Sequence, residues 1–217
     1  MNREIRITED GSSTLFVPEL GEHYHSHYGA IQESKHIFIN SALKQVNKDE
    51  INVLEFGFGT GLNALLTCAY AVENNIRVNY LGIEKYPLTA EEAALLNFDR
   101  EANTDCLKEI HKIEWERELE VNSQFMLKKV QSDFRIITLN QNTYDVVYFD
   151  AFAPDVQPNL WTKAIFEKIY LSMRKGGVLT TYTVKGVVRR LMKEVGFRVE
   201  KISGPPGKRE ITRAWKE

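Results

Sequence analysis

The shortages in this 217-residue chain narrow the possibilities first. It has only two cysteines, Cys68 and Cys106, far apart in sequence. That is too few for a disulfide framework or a cysteine-based zinc site, and it points to a reducing cytoplasm. No apolar run approaches the ~18 residues that a membrane helix needs. The opening stretch, MNREIRITEDGSS, is charged and lacks the apolar segment of a secretory signal. Repeats, low-complexity tracts and an interdomain linker are also missing. What remains is ordinary: 43% hydrophobic and 27% charged residues, with a length that suits one domain.

Net charge is nearly absent too. A formal charge of −2 argues against a generic nucleic-acid coat, yet its distribution is uneven. Residues 185–217 hold ten Lys/Arg against four Asp/Glu, whereas residues 1–184 hold eighteen against twenty-six. A basic end thus sits on an acidic body. Arg189, Arg190, Lys208 and Arg209 are its candidates for phosphate contact, the alternative being a solvated surface.

Periodicity gives the architecture. REIRIT and STLFV flank Asp10-Gly11 and predict a β-hairpin. A His- and Tyr-rich polar segment, GEHYHSHYGAIQES, follows, and helical spacing over 34–46 comes after it. Short apolar runs at 51–56, 78–83, 125–130, 144–149 and 177–183 predict buried parallel strands. Helical stretches at 62–72, 89–98, 160–173 and 187–195 lie between and after them. Thr89 and Glu92 have the spacing of a capping box, and Gly196 that of a helix C-cap. The acidic region 99–124 reads as helical. Two last strands, 197–202 and 209–215, are joined by a loop too short for a parallel crossover, so they pair antiparallel. The expectation is an α/β, Rossmann-like, mostly parallel seven-stranded sheet with a C-terminal antiparallel hairpin strand and an N-terminal β-hairpin extension.

The chemistry concentrates at strand ends. Glu55-Phe-Gly57-Phe-Gly59-Thr-Gly61 closes the first parallel strand and opens a helix. Glycines there let the backbone turn sharply and approach a ligand. Glu84 ends the next strand, where a carboxylate can accept both ribose hydroxyls of an adenosine. Asn63, in the helix that opens after the glycines, and Lys85, beside Glu84, join this candidate cofactor set. Asp133 follows the third strand and is a candidate acceptor for an adenine amine. The looser dinucleotide fingerprint, Gly59-Thr-Gly61-Leu-Asn-Ala64, also fits, so a nicotinamide dehydrogenase is one alternative. The anion expected at Glu55 disfavours a pyrophosphate and tolerates a sulfonium with an ammonium. Asp150-Ala-Phe-Ala-Pro154 follows the fourth strand and resembles the acidic loop in which amino-group methyltransferases hold their acceptor. His23, His25 and His27 alternate and would share one face of a strand, yet no Cys or acidic ligand set accompanies them beyond Glu22 and Glu33. The segment reads instead as a lid whose His and aromatic groups line the pocket, and no metal is expected.

The runs LEFGFGTGLNALL, YFDAFAPDVQPNLW and KGGVLTTYTVKGVVRRLMKEVGF, with the ending GPPGKRE, resemble the methyltransferase domain of the bacterial tRNA 5-methylaminomethyl-2-thiouridine biosynthesis proteins, the MnmC family. The resemblance runs from about Tyr24 to Trp215. One departure is Ala151, where the family usually has Gly. The resemblance implies methyl transfer from S-adenosyl-L-methionine to the 5-aminomethyl group of the wobble uridine in tRNA. Separate enzymes would then supply the aminomethyl intermediate. On this reading Asp150 orients the amine and takes its proton, while also bordering the cofactor. Tyr28, Glu33, Phe152 and Pro154 contact the acceptor, with Phe152 stacking on the base. The chain is further expected to be the stand-alone form, without the family's FAD-dependent oxidoreductase domain. It would be one domain, with 1–48 as extension and lid and 49–217 as catalytic core. A non-catalytic tRNA-binding module of the same fold is the other alternative.

Overall fold

The computed structural model describes residues 1–99 and 106–217. The N-terminal hairpin forms as expected and gains a short third strand. β1 (Glu4–Ile7), β2 (Ser13–Val17) and β3 (Glu22–His23) make a small antiparallel sheet of their own. After it come α1 (Ala30–Ser34) and a wide π-helical turn over Lys35–Asn40. The sequence spacing predicted one helix over 34–46. Instead the winding opens at 35 and breaks after 40, which turns Ile37 and Phe38 inward, with Phe38 5.1 Å from the Tyr148 ring.

The remainder is one eight-stranded sheet. Its strands are β4 (Glu50–Phe56), β5 (Arg77–Glu84), β6 (Glu118–Asn122), β7 (Phe125–Gln131), β8 (Tyr144–Phe149), β9 (Met173–Thr181), β10 (Phe197–Ser203) and β11 (Glu210–Lys216). They lie in the order β10-β11-β9-β8-β4-β5-β7-β6. β9, β8, β4, β5 and β7 are parallel, while β6, β10 and β11 run against their neighbours. The covering helices are α2 (Leu62–Asn74), α3 (Ala90–Ala94), α4 (Cys106–Lys112), α5 (Lys163–Ser172) and α6 (Gly186–Val195). The Thr89–Glu92 capping box and the left-handed Gly196 cap are both present.

Seven strands were expected, and the eighth is β6. It falls in the acidic stretch 99–124 that read as helical, of which 100–105 lie outside the described residues. Among its described residues, Asp99 and α4 are helical. Glu118-Leu-Glu-Val-Asn alternates charge with apolar residues, the pattern of a half-exposed edge strand rather than of a helix. A short turn, in which Asn122 Oδ1 accepts from the Gln124 amide at 3.0 Å, folds it back on β7.

Period-2 alternation sorts β4 between two cores. Ile51 and Val53 face the α2 side, and Leu54 and Phe56 face the α5 and α6 side. Glu55 continues the first set, which puts a carboxyl group beneath α2. The chain runs from β4 out to β5 and β7, then returns to place β8 on the opposite flank of β4. Ligands of open α/β sheets bind above such a switch, beyond the strands' carboxyl ends. The register brings Phe56, Ile83 and Phe149 level there, so Gly57, Glu84 and Asp150 emerge on one edge.

Candidate active site

A cavity of about 680 Å³ opens above that edge. Its floor is the glycine loop. Gly57 has φ +93°, and a Cβ on it would stand 2.2 Å from the Asp150 carbonyl oxygen. The two strand ends are pinned by Asp150 N donating to Phe56 O at 2.9 Å, and by Gly57 N donating to Ile83 O at 3.0 Å. Gly59 has φ +48°, and a Cβ there would meet the Tyr24 ring at 3.0 Å. The two glycines thus face opposite ways: Gly57 abuts the Asp150 backbone and Gly59 abuts the Tyr24 ring. Gly61 starts α2 and turns toward Phe58 and His111, away from the cavity.

Beneath the floor, Glu55 is completely buried. Its carboxyl accepts from Asn63 Nδ2 and from the Tyr80 hydroxyl, each at 2.8 Å. Burial pushes its pKa up to about 8, against the opposing pull of those two hydrogen bonds. This corrects the expectation of an anion at Glu55 that selects against pyrophosphate. Glu55 does not line the cavity, and near neutral pH it carries a proton. The same Asn63 Nδ2 donates to Asp150 Oδ2 at 2.9 Å, while Asn63 Oδ1 is buried without a partner among the described residues. Asp150 lines the cavity, and its pKa is raised to about 7, first by burial and then by the charge of Glu33.

Glu84 lines the cavity beside the glycine loop and accepts from Gly59 N at 3.0 Å and from Tyr86 N at 2.8 Å. Each oxygen keeps one further lone pair. Asp133 also reaches the cavity, but its oxygens are taken. Oδ1 accepts from Arg135 N and Nε, both at 2.9 Å, and Oδ2 accepts from an Arg135 terminal nitrogen at 2.6 Å and from Lys85 Nζ at 3.1 Å. The Arg135 side chain holds this carboxyl well below the usual carboxylate range. The adenine-amine contact expected of Asp133 therefore has no free acceptor in this arrangement.

The lid comes from the small sheet and the segment after it. Arg3 Nε donates to the Tyr24 hydroxyl at 2.9 Å, and Arg3 also forks onto Glu92 of α3 at 2.9 and 3.1 Å. Tyr24 meets Phe152 edge to face at 5.3 Å. His25 lies between Thr14 and Thr60, and burial pushes its pKa down to about 4, so it is neutral. Among the described residues no three His, Cys, Asp or Glu side chains cluster as a metal site would require. Tyr28, Glu33, Phe152, Tyr182 and Lys208 also line the cavity.

The structure thus brings together Gly57, Gly59, Asn63, Glu84, Lys85, Asp133, Asp150, Tyr28, Glu33, Phe152 and Lys208. It leaves out Glu55 and Gly61 below the loop. Pro154 is buried outside the cavity. Arg189, whose Nε donates to Val184 O at 3.1 Å, and the exposed Arg190 and Arg209 also lie outside the cavity. Sequence reasoning missed Tyr24, Arg135 and Tyr182. Tyr24 lay in the segment already read as a lid. Tyr182 directly follows β9, one strand from the switch, which was the available signal.

A family model of S-adenosyl-L-methionine-dependent methyltransferases matches residues 93–217, more than half of the chain. The chain belongs to this family, and S-adenosyl-L-methionine is its cofactor. Its similarities are narrower than the class. It is 28% identical, over 88% of its length, to the tRNA 5-methylaminomethyl-2-thiouridine biosynthesis bifunctional protein MnmC of Methylobacillus flagellatus. It is 30% identical, over 94%, to the MnmC of Leptospira interrogans. The chain spans about a third of the length of these curated relatives, 32% and 33%. Crystalline MnmC2 from Aquifex aeolicus superposes with a TM-score of 0.79 at 25% identity, covering all of this chain and 71% of that one. Among the described residues no helix is long and apolar enough to cross a membrane.

Proposed function

We propose that this protein transfers a methyl group from S-adenosyl-L-methionine to the primary amine of 5-aminomethyl-(2-thio)uridine at the wobble position of tRNA. One observation carries the reading. Asp150 stands at the sheet's switch point, fixed by Phe56 and Asn63, with a pKa raised to about 7 by burial. The names of the MnmC relatives supply the acceptor's identity. The cavity suits the cofactor. Glu84 offers two unused lone pairs for ribose hydroxyls, the loop at Gly59 has no side chain in the way, and buried Asn63 Oδ1 awaits a donor such as an ammonium.

When bound, the cofactor supplies an electrophilic methyl group on a sulfonium. The rest of the work is positioning. An alkylammonium has a pKa of ~10 in water, so the acceptor arrives charged and must lose a proton before its lone pair can attack. Asp150 Oδ1, which has no hydrogen-bond partner among the described residues, is the acceptor for that proton, while Asn63 holds Oδ2. The nitrogen then forms its bond to carbon as the carbon–sulfur bond breaks. Phe152, braced edge-on by Tyr24, provides a face on which the uracil ring stacks. Arg190 and Arg209 lie outside the cavity in the basic region and contact tRNA phosphates. The setting is the cytoplasm, with separate enzymes delivering the aminomethyl-uridine and no metal in the reaction.

The test is single-turnover transfer to tRNA bearing 5-aminomethyluridine, across pH, for wild type and Asp150→Asn. The wild-type rate should rise with pH through about 7, as Asp150 ionises, and then level off. The variant should bind S-adenosylhomocysteine normally yet react at least ~100-fold more slowly at neutral pH, the scale of a positioned base. Its rate should keep climbing at higher pH, as solution amine loses its proton. A near-normal variant rate at neutral pH would remove Asp150 from the chemistry.

A further inference from the structure

The acceptor side holds an arrangement that the proton transfer above does not use. Glu33, on α1, is only 9% exposed. Its Oε2 accepts from Ser26 N at 2.8 Å, and its Oε1 accepts from Lys208 Nζ in a tight ion pair. That same ammonium sits 4.5 Å from the centre of the Tyr182 ring. Tyr182 is held by its hydroxyl, which donates to Ala151 O at 2.9 Å, so the ring face is fixed. Asp150 precedes the Ala151 carbonyl that anchors Tyr182, and it lines the same cavity as Glu33 and Lys208.

Lys208 belongs to the turn between β10 and β11, in the most basic stretch of the chain. A lysine there would ordinarily extend into water. Instead the turn is seated against the lid. Gly207 has φ +81°, and a Cβ on it would stand 2.2 Å from the Tyr28 ring. The lysine is thus directed into the cavity, against the entropy of its long side chain.

A carboxylate, an aromatic face and a second carboxylate are what recognises a primary alkylammonium. The end of a lysine side chain, a methylene bearing an ammonium, is the same chemical group as the aminomethyl substituent of the proposed acceptor. We propose that Glu33, the Tyr182 ring and Asp150 form the subsite for the acceptor's ammonium, and that Lys208 Nζ fills it as a displaceable internal stand-in until substrate arrives. This inference rests on the amine-acceptor reading. An occupant of this kind lowers apparent affinity by the fraction of time the subsite is filled, roughly tenfold if it is free a tenth of the time. On displacement Lys208 swings outward, where a polynucleotide's phosphates would hold it. The free nucleoside lacks those phosphates and bears the whole cost of the exchange.

The experiment titrates 5-aminomethyluridine nucleoside, and in parallel ethylammonium, into protein saturated with S-adenosylhomocysteine. The variants are Lys208→Met, Lys208→Gln, Glu33→Gln and the Glu33→Gln/Lys208→Met double. Affinity for S-adenosylhomocysteine reports folding in each. Both Lys208 variants should bind both amines roughly tenfold more tightly than wild type. Glu33→Gln should bind them more weakly, and the double variant should lose the gain. Uridine without the amine should not distinguish the proteins. Unchanged or weaker amine binding in both Lys208 variants overturns the subsite, whatever the acceptor. Tighter ethylammonium with no nucleoside binding keeps the subsite and rejects the uridine reading instead. Binding of neither amine to any folded variant rejects the subsite.

Discussion

The floor and the lid of the cavity are built by different means, and the contrast explains what each can do. The floor is made of strand ends and one turn, locked by backbone hydrogen bonds from Asp150 and Gly57 to β4 and β5. Its side chains lie inside the protein: Glu55, Asn63 and Tyr80 form one buried hydrogen-bonded set. The lid is a three-stranded sheet of its own and is held to the core through side chains. Arg3 reaches Tyr24 and Glu92, and Asn97 exchanges hydrogen bonds with Ser13 at 2.7 and 3.0 Å. A small sheet held this way opens at lower free energy than a central strand. The small sheet is therefore expected to open before the floor that holds Asp150.

Breaking the floor should have the largest effect. Gly57→Ala puts a methyl group 2.2 Å from backbone, where nothing flexible can yield, so the Asp150 loop must shift. Displacement of that order costs ~100-fold in rate, so single-turnover transfer should fall at least that far. A rate within a few-fold of wild type would show that the floor yields. Next comes the buried carboxyl. Between the ordinary carboxylate range and about 8, the folded chain keeps a proton on Glu55 that the unfolded chain has lost. Stability therefore falls as pH rises through that window. Glu55→Gln should remove ~2–3 kcal/mol of this loss, read as a flatter dependence of urea unfolding on pH between 5 and 8. An unchanged slope would mean that Glu55 is ionised in the fold.

The lid should respond more gently. Gly59→Ala meets only the edge of the Tyr24 ring at 3.0 Å, with the left-handed strain of ~1–2 kcal/mol added. S-adenosylhomocysteine binding should weaken roughly tenfold, while the transfer rate at saturating cofactor changes little. A rate collapse would make the two glycines equivalent and end the contrast. Arg3→Ala should speed hydrogen exchange in β1 and β2 by an amount equivalent to ~1–2 kcal/mol, and leave β4 and β8 protected. Equal loosening of both sheets would show that the lid is not a separate unit. The smallest effect is expected outside the cavity. Replacing Arg190 and Arg209 with Ala should lower the salt slope of tRNA binding by about one to two, with cofactor binding untouched. An unaltered slope would leave them as solvated side chains.

Much of the floor was legible in sequence because it is local. Glycines after a buried apolar run, Glu84 at the end of the next strand and Asp150 after another are each set by a few neighbouring residues. Glu55 was placed correctly along the chain and misread in direction. Its motif position says nothing of which face it takes, whereas alternation with Ile51 and Val53 puts it under α2. β6 was misread because alternating glutamates on an edge strand carry little apolar signal.

By itself the sequence determined the N-terminal hairpin, the buried parallel strands, the glycine turn, the capping box and the acidic residues at strand ends. Each depends on backbone conformational preference or on a short hydrophobic period. Only the tertiary structure decided which of those residues meet. It gathers Tyr24, Glu33 and Lys208, from opposite ends of the chain, around a loop at residue 57. It leaves Arg190 and Arg209 outside the cavity and lets Arg135 saturate Asp133. The physical reason is that these contacts join segments up to 175 residues apart. Closing them depends on where the sheet's switch point brings the chain together.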